Sequence, residues 1–329
     1  MRRRLFLAGG AALMLGSAWR AVAADRAAGG SAPGAIETRL AGRPGGGLPV
    51  ILLPAATAQS PCPAIIFSHG LGGRAAAFTT LAAPWAAAGF LVLLPEHLDS
   101  LARGAPRRPS FAQLRRYALI RIGDIKALID ALPSLAARAA IQVAPGAIGV
   151  GGHSFGAWTA AVIGGAKIYA KAGHAQSFAD PWPRAFLLLA GPAVPPGASP
   201  MHPFDGMASH SFEALTRPLL LIEGTRDDVP PGGPESYRER LAAYALSPPG
   251  NKYLALERNG THMTTVGIAP PGDPGLRMIA ERSLRDLTAL SLPFWKGYVG
   301  GDRVSVAWLN GPAPLAIDAS FLRFERRLG

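Results

Sequence analysis

The stretch Gly152-His153-Ser154-Phe155-Gly156 sets a serine among small residues in the pattern G-x-S-x-G. The apolar run Ala147-Ile148-Gly149-Val150-Gly151 before it has strand character, and Ala157-Trp158-Thr159-Ala160-Ala161-Val162-Ile163 after it suits a helix. A sharp turn from strand to helix exposes the serine hydroxyl as a nucleophile, and the new helix offers N–H groups to developing negative charge. A hydroxyl is a weak nucleophile at neutral pH and needs an imidazole to take its proton. Of the seven histidines, only His262 lies beyond the apolar run Leu219–Ile222. Its loop, Asn259-Gly260-Thr261-His262-Met263, directly follows the run ending at Leu256, so its side chain can reach back over the carboxyl edge of a sheet. The carboxylate that would orient this imidazole is sought in Glu223-Gly224-Thr225-Arg226-Asp227-Asp228, where Asp227, Asp228 and Glu223 compete.

Acyl transfer from such a serine passes through a tetrahedral oxyanion, which two N–H donors stabilise by several kcal/mol. Phe155, the residue after the nucleophile, should give one donor. The glycine-rich Ser68-His69-Gly70-Leu71-Gly72-Gly73 follows another apolar run, and Leu71 should give the second. His69 is expected to organise this loop through hydrogen bonds. His153 is expected to pack beside the nucleophile and point away from its hydroxyl. The histidines lack paired ligand spacing with carboxylates, so neither a metal nor an organic cofactor is expected.

These groups need a sheet to hold them. Strands are predicted at Ile36–Leu40, Leu48–Leu53, Ala64–Phe67, Phe90–Leu94, around Ile148, Ala185–Leu189, Leu219–Ile222 and Lys252–Leu256. Helices are predicted from Ala75 to Ala88, from Phe111 to Leu132 with Leu114, Ala118, Ile122, Ile125 and Ile129 on one stripe, and from Leu276 to Trp295. Alternation of this kind implies an α/β fold, a mostly parallel sheet covered on both faces. The interval between Leu189 and Pro218 is proline-rich and short for a helical cap, and reads as a loop-like lid over 190–217. Its Phe204, Met207 and Phe212 either line an acyl site or pack the loop onto the body.

The front end reads as an export signal over residues 1–24. Arg2-Arg3-Arg4 precedes a run without charge from Leu5 to Trp19, and small residues around Ala23 and Ala24 suit cleavage. Arg3-Arg4-Leu5-Phe6-Leu7 is similar to a twin-arginine signal, which would send a folded protein to the periplasm or outside. Residues 25–329 then read as a single α/β domain, with no stable membrane insertion after cleavage. Losing Arg2, Arg3, Arg4 and Arg20 would bring the net charge from +12 to +8. That charge is dispersed, with no lysine-rich run or aromatic-basic repeat, and speaks against nucleic acid as a partner. The single cysteine, Cys62, allows no internal disulfide.

Phe67-Ser68-His69-Gly70-Leu71-Gly72-Gly73, Gly152–Gly156, Gly224-Thr225-Arg226-Asp227 and His262 together resemble the α/β-hydrolase superfamily. Within it they look like the dienelactone-hydrolase-like and platelet-activating-factor-acetylhydrolase-like serine esterases, over about residues 36 to 300. The resemblance implies Ser154, Asp227 and His262 as a triad, in the order serine, acid, histidine, with Leu71 and Phe155 as oxyanion donors. Its G-T-x-D pattern favours Asp227 over Asp228. Pro95-Glu96-His97-Leu98-Asp99-Ser100 is similar to a family loop carrying Asp-His, but Glu96 replaces the aspartate, and His97 is taken as a pocket wall. Ser154 in place of cysteine argues against dienelactone hydrolysis, and Ala157 stands where acetylhydrolases often have a second glycine. The implied function is hydrolysis of small-molecule carboxylic esters of short to medium acyl length through an acyl-enzyme. A phospholipid acyl-hydrolase and an amidase or peptidase use the same machinery, and a binding protein on this fold is the non-enzymatic alternative.

Overall fold

The computed structural model describes residues 34–56, 61–169, 174–194, 206–227 and 236–329. Among them nine strands form one sheet. They are β1 (Ile36–Leu40), β2 (Leu48–Leu53), β3 (Cys62–Ser68), β4 (Leu91–Pro95), β5 (Val143–His153), β6 (Pro183–Leu189), β7 (Leu219–Gly224), β8 (Lys252–Glu257) and β9 (Leu322–Arg327). The spatial order is β1-β2-β4-β3-β5-β6-β7-β8-β9. The six strands from β4 to β8 run parallel, while β1, β2 and β9 pair antiparallel at the two edges. A parallel sheet must be covered on both faces, and its strands accordingly read as apolar runs rather than alternating ones. β4 and β7 are buried at every residue.

Five helices do most of the covering: α1 (Thr79–Ala87), α2 (Phe111–Ala137), α3 (Phe155–Gly164), α4 (Pro274–Tyr298) and α5 (Arg303–Asn310). Side chains alternate across each strand, so Phe186 and Leu188 join the core under α2 and α3, while Leu187 and Leu189 join the core under α1 and α4. The predicted stripe of α2 is the buried one, with Ala118, Ile122, Ile125 and Ile129 in the core and Leu114 buried beside them. Ser110 caps this helix by accepting from the Gln113 N–H, and the Gln113 side chain accepts from the Ser110 N–H in return.

The helix expected from Ala75 begins instead as a 3-10 turn, Ala75–Phe78, before α1. The strand expected at Phe90–Leu94 runs from Leu91 to Pro95. β9 and α5 were not expected. The export signal and the proline-rich 195–205 lie outside the described residues. In the rest of the lid interval, Met207 and Phe212 are wholly buried in the core, so they pack the loop onto the body and do not line a site. No helix among the described residues is long and apolar enough to cross a membrane.

Candidate active site

β5 leads straight into α3, and Ser154 is the residue between them, held at φ 56°, ψ −115°. A non-glycine residue there carries strain of about 1–3 kcal/mol, which its surroundings must impose. They do so by fixing both ends of the turn. The Ser154 N–H donates to the Leu189 carbonyl of β6 (2.9 Å), and the Ser154 carbonyl accepts from the Trp158 N–H of α3 (3.0 Å). The side chain is left at the carboxyl edge of the sheet.

The other two predicted residues come together over the same edge. Asp227 follows β7, His262 follows β8, and His262 Nδ1–H donates to Asp227 Oδ2 at 2.7 Å. This bond leaves His262 Nε2 as the atom that can accept a proton. The two loops are sewn together by backbone bonds, Thr225 N–H to Glu257 O (2.9 Å) and Arg226 N–H to Gly260 O (2.8 Å). The seam needs glycine at 224, since a Cβ there would stand 2.3 Å from the Gly260 carbonyl oxygen. Asp228, the competing acid, lies outside the described residues.

His153 is packed beside Ser154, as expected, and it does more. Its ring lies 4.7 Å from that of His262, and its Nε2–H donates to the His262 carbonyl at 2.8 Å. The residue preceding Ser154 therefore sets the height of the loop that carries the imidazole. Burial, and then the neighbouring His262, lower the His153 pKa to about 3, so it stays neutral and serves as a fixed donor.

Asp227 has two further partners, Arg240 and Glu223. The Arg240 guanidinium stands 3.1 Å from Asp227 Oδ1, while its Nη1 donates to the Gly191 carbonyl (2.7 Å). Glu223, the least favoured of the three candidate acids, is buried at the end of β7 and accepts from the Gly191 and Gly224 N–H groups at 3.2 and 3.0 Å. Burial and then the Asp227 charge push the Glu223 carboxyl well above the usual carboxylate range. Burial alone would raise Asp227 too, but His262 and Arg240 outweigh it and hold this carboxyl ionised, far below its ordinary value. The two carboxyls are thus pushed apart, Glu223 toward its neutral form and Asp227 toward its charged form facing the imidazole.

The glycine-rich loop Ser68–Gly73 passes directly against Ser154. A Cβ on Gly70 would stand 3.1 Å from His153 Nδ1 and 3.3 Å from Ser154 Cβ. Leu71 is half-buried, and its N–H has no acceptor among the described residues. Phe155 opens α3, where first-turn N–H groups point out of the helix. His69 organises the loop as expected, accepting the His97 N–H on Nε2 (3.0 Å), so its proton sits on Nδ1 and is donated to the Gly70 carbonyl (2.6 Å). His97 itself is no pocket wall. It is fully buried between Ser68 and Asp124, because its ring is needed to satisfy polar groups inside the fold.

A six-strand parallel core with antiparallel edges, a strained serine between strand and helix, and an acid and a histidine on the loops after successive later strands decide the architecture. This is the α/β-hydrolase fold. The structure is similar to that of Thermogutta terrifontis esterase 2 phosphorylated by paraoxon, at 16% identity and TM-score 0.55, over 80% of this chain and 94% of that one. It is similar also to the ferulic acid esterase from Streptomyces cinnamoneus, at 19% identity and TM-score 0.51, over 78% of this chain and 84% of that one. The sequence matches the family described as platelet-activating factor acetylhydrolase, isoform II, over residues 50–106. That segment runs from β2 past β4 and so includes the glycine-rich loop Ser68–Gly73. The sequence matches none of the curated proteins compared with it.

Proposed function

We propose that this α/β-hydrolase is a serine esterase that cleaves carboxylic esters of short to medium acyl length through an acyl-enzyme. The observation that carries the reading is the strained Ser154 beside a loop whose histidine is already bonded to a carboxylate (2.7 Å). Ser154 Oγ attacks the ester carbonyl while His262 Nε2 takes its proton. Asp227, ionised and bonded to Nδ1, keeps the imidazole in the tautomer that can accept, and then stabilises the imidazolium. The Leu71 and Phe155 N–H groups receive the oxyanion. The imidazolium gives its proton to the departing alkoxide as the acyl-enzyme forms. Water, deprotonated in turn by His262, then releases the acid and restores Ser154. The similar structures being esterases, and the acetylhydrolase match across the oxyanion loop, favour an ester over an amide as substrate. The basic start of the chain supports export to the periplasm or beyond as the setting.

Purified protein is expected to turn over p-nitrophenyl acetate and butyrate, and Ser154→Ala to lose at least about a thousandfold in kcat/KM. Equal rates in the two proteins would remove the mechanism.

A further inference from the structure

Arg121 lies in α2, wholly buried, with its side chain aimed at the loop that passes Ser154. All five of its N–H groups find acceptors. Nε and Nη2 grip the two oxygens of Asp99 at 2.8 and 2.7 Å, Nη1 donates to Ser68 Oγ (3.1 Å) and the His69 carbonyl (2.7 Å), and Nη2 donates also to the Gly70 carbonyl (3.0 Å). Its guanidinium carbon sits 4.6 Å from the centre of the Phe155 ring. One side chain therefore touches both segments that would supply oxyanion donors.

We propose that Arg121, held by Asp99, is a positioning residue that sets the oxyanion hole by locking the Gly70–Leu71 peptide. The inference rests on the serine-esterase reading above. A trans peptide is planar, with its C=O and N–H pointing to opposite sides. The Gly70 carbonyl receives Arg121 Nη2–H, His69 Nδ1–H (2.6 Å) and the Gly73 N–H (3.0 Å), so this peptide cannot turn without breaking three bonds. The Leu71 N–H is thereby fixed on the side away from the buried arginine. Asp99 secures the far end as well, accepting the Gly72 N–H at 3.3 Å.

The guanidinium is itself clamped. Ser68 Oγ–H donates to His97 Nε2 (2.8 Å) and His97 Nδ1–H donates to Asp124 Oδ2 (2.9 Å), a second serine–histidine–aspartate chain. All three members are buried, so no substrate meets them, and Ser68 Oγ serves as an acceptor for Arg121. Burial pushes the Asp99 carboxyl up, but the Arg121 charge pulls it further down, and Asp99 stays ionised. Only a planar fork can hold Asp99 with two bonds and two successive carbonyls at once.

Arg121→Lys keeps the charge beside Asp99 but not the fork. It is compared with wild type and Ser154→Ala on p-nitrophenyl acetate and on O-p-nitrophenyl thionoacetate, whose carbonyl sulfur accepts hydrogen bonds poorly. The expected result is a kcat about a hundredfold lower with KM within about threefold, and a preference for the oxygen ester that falls at least about tenfold. A merely structural role would leave that preference where it is in wild type. Should Arg121→Lys fail to fold, the charge-neutral double variant Arg121→Met with Asp99→Asn carries the same readout. Folded variants that keep kcat, or lose it while keeping the full oxygen preference, overturn the proposal. Wild type without Ser154-dependent turnover overturns the esterase reading with it, whereas Ser154-dependent turnover that survives in Arg121→Lys overturns this one alone.

Discussion

Replacing His262 by glutamine is expected to lower kcat/KM on p-nitrophenyl acetate by about 10⁵-fold or more, with the fold intact by circular dichroism. The glutamine amide fills part of the space but offers no group that takes a proton near neutral pH. Asp227→Asn should cost about 10⁴-fold, for a reason the pocket makes specific. Arg240, 3.1 Å from Oδ1, demands an oxygen on its side. The asparagine amide must then turn its NH₂ toward His262, forcing Nδ1 to accept and placing the imidazole proton on Nε2, where it faces the wrong way. Steady-state kinetics on both variants checks this. A loss below about a hundredfold in either would mean that this histidine and this carboxylate do not act on Ser154 as a unit.

Gly156→Ala is expected to destroy the fold rather than the chemistry. A Cβ at Gly156 would lie 1.9 Å from the Ser68 carbonyl oxygen and 2.8 Å from that of His69. Both are backbone atoms at the end of β3, so no side chain can swing aside. Relief would require moving α3 off β3, and with it the nucleophile off the oxyanion loop. The expected cost exceeds about 4 kcal/mol, read as loss of soluble protein or of a cooperative melting transition. A Gly156→Ala protein that melts like wild type would show that the elbow and β3 are not in the contact described here.

The second glycine of G-x-S-x-G is thus a packing requirement, which is why so short a pattern was informative. The placement of Ser154, Asp227 and His262 at one sheet edge was legible because each sits just after an apolar run that had to be a strand. Runs such as Leu219–Ile222 admit little else when a sheet is covered on both faces. The last strand was missed because its apolar residues are only two, Leu322 and Phe324, alternating with Arg323 and Glu325. Its end, Arg326 and Arg327, is charged, although a period of two was there to be seen.

Arg121 was missed for the opposite reason. It stands seven residues after Leu114, on the very stripe assigned to the core, and a charge at that spacing signals a buried partner elsewhere in the chain. That partner, Asp99, is far enough away in sequence that only the fold pairs them. Arg240 escaped notice likewise, and Glu223 was weighed only as a rival acid, since what makes both matter is the shared Gly191 backbone between them. The open choice for Met207 and Phe212 is settled by burial, since both belong to the core that includes α3.

The central claim is that Ser154 is an activated nucleophile. Its most direct test is reaction of the folded protein with a fluorophosphonate probe, followed by mass spectrometry of the digested chain. A single adduct on the peptide containing Ser154, absent from Ser154→Ala, is the predicted result. A folded protein that hydrolyses esters while Ser154 stays unlabelled, or that carries the adduct on another residue, would contradict it.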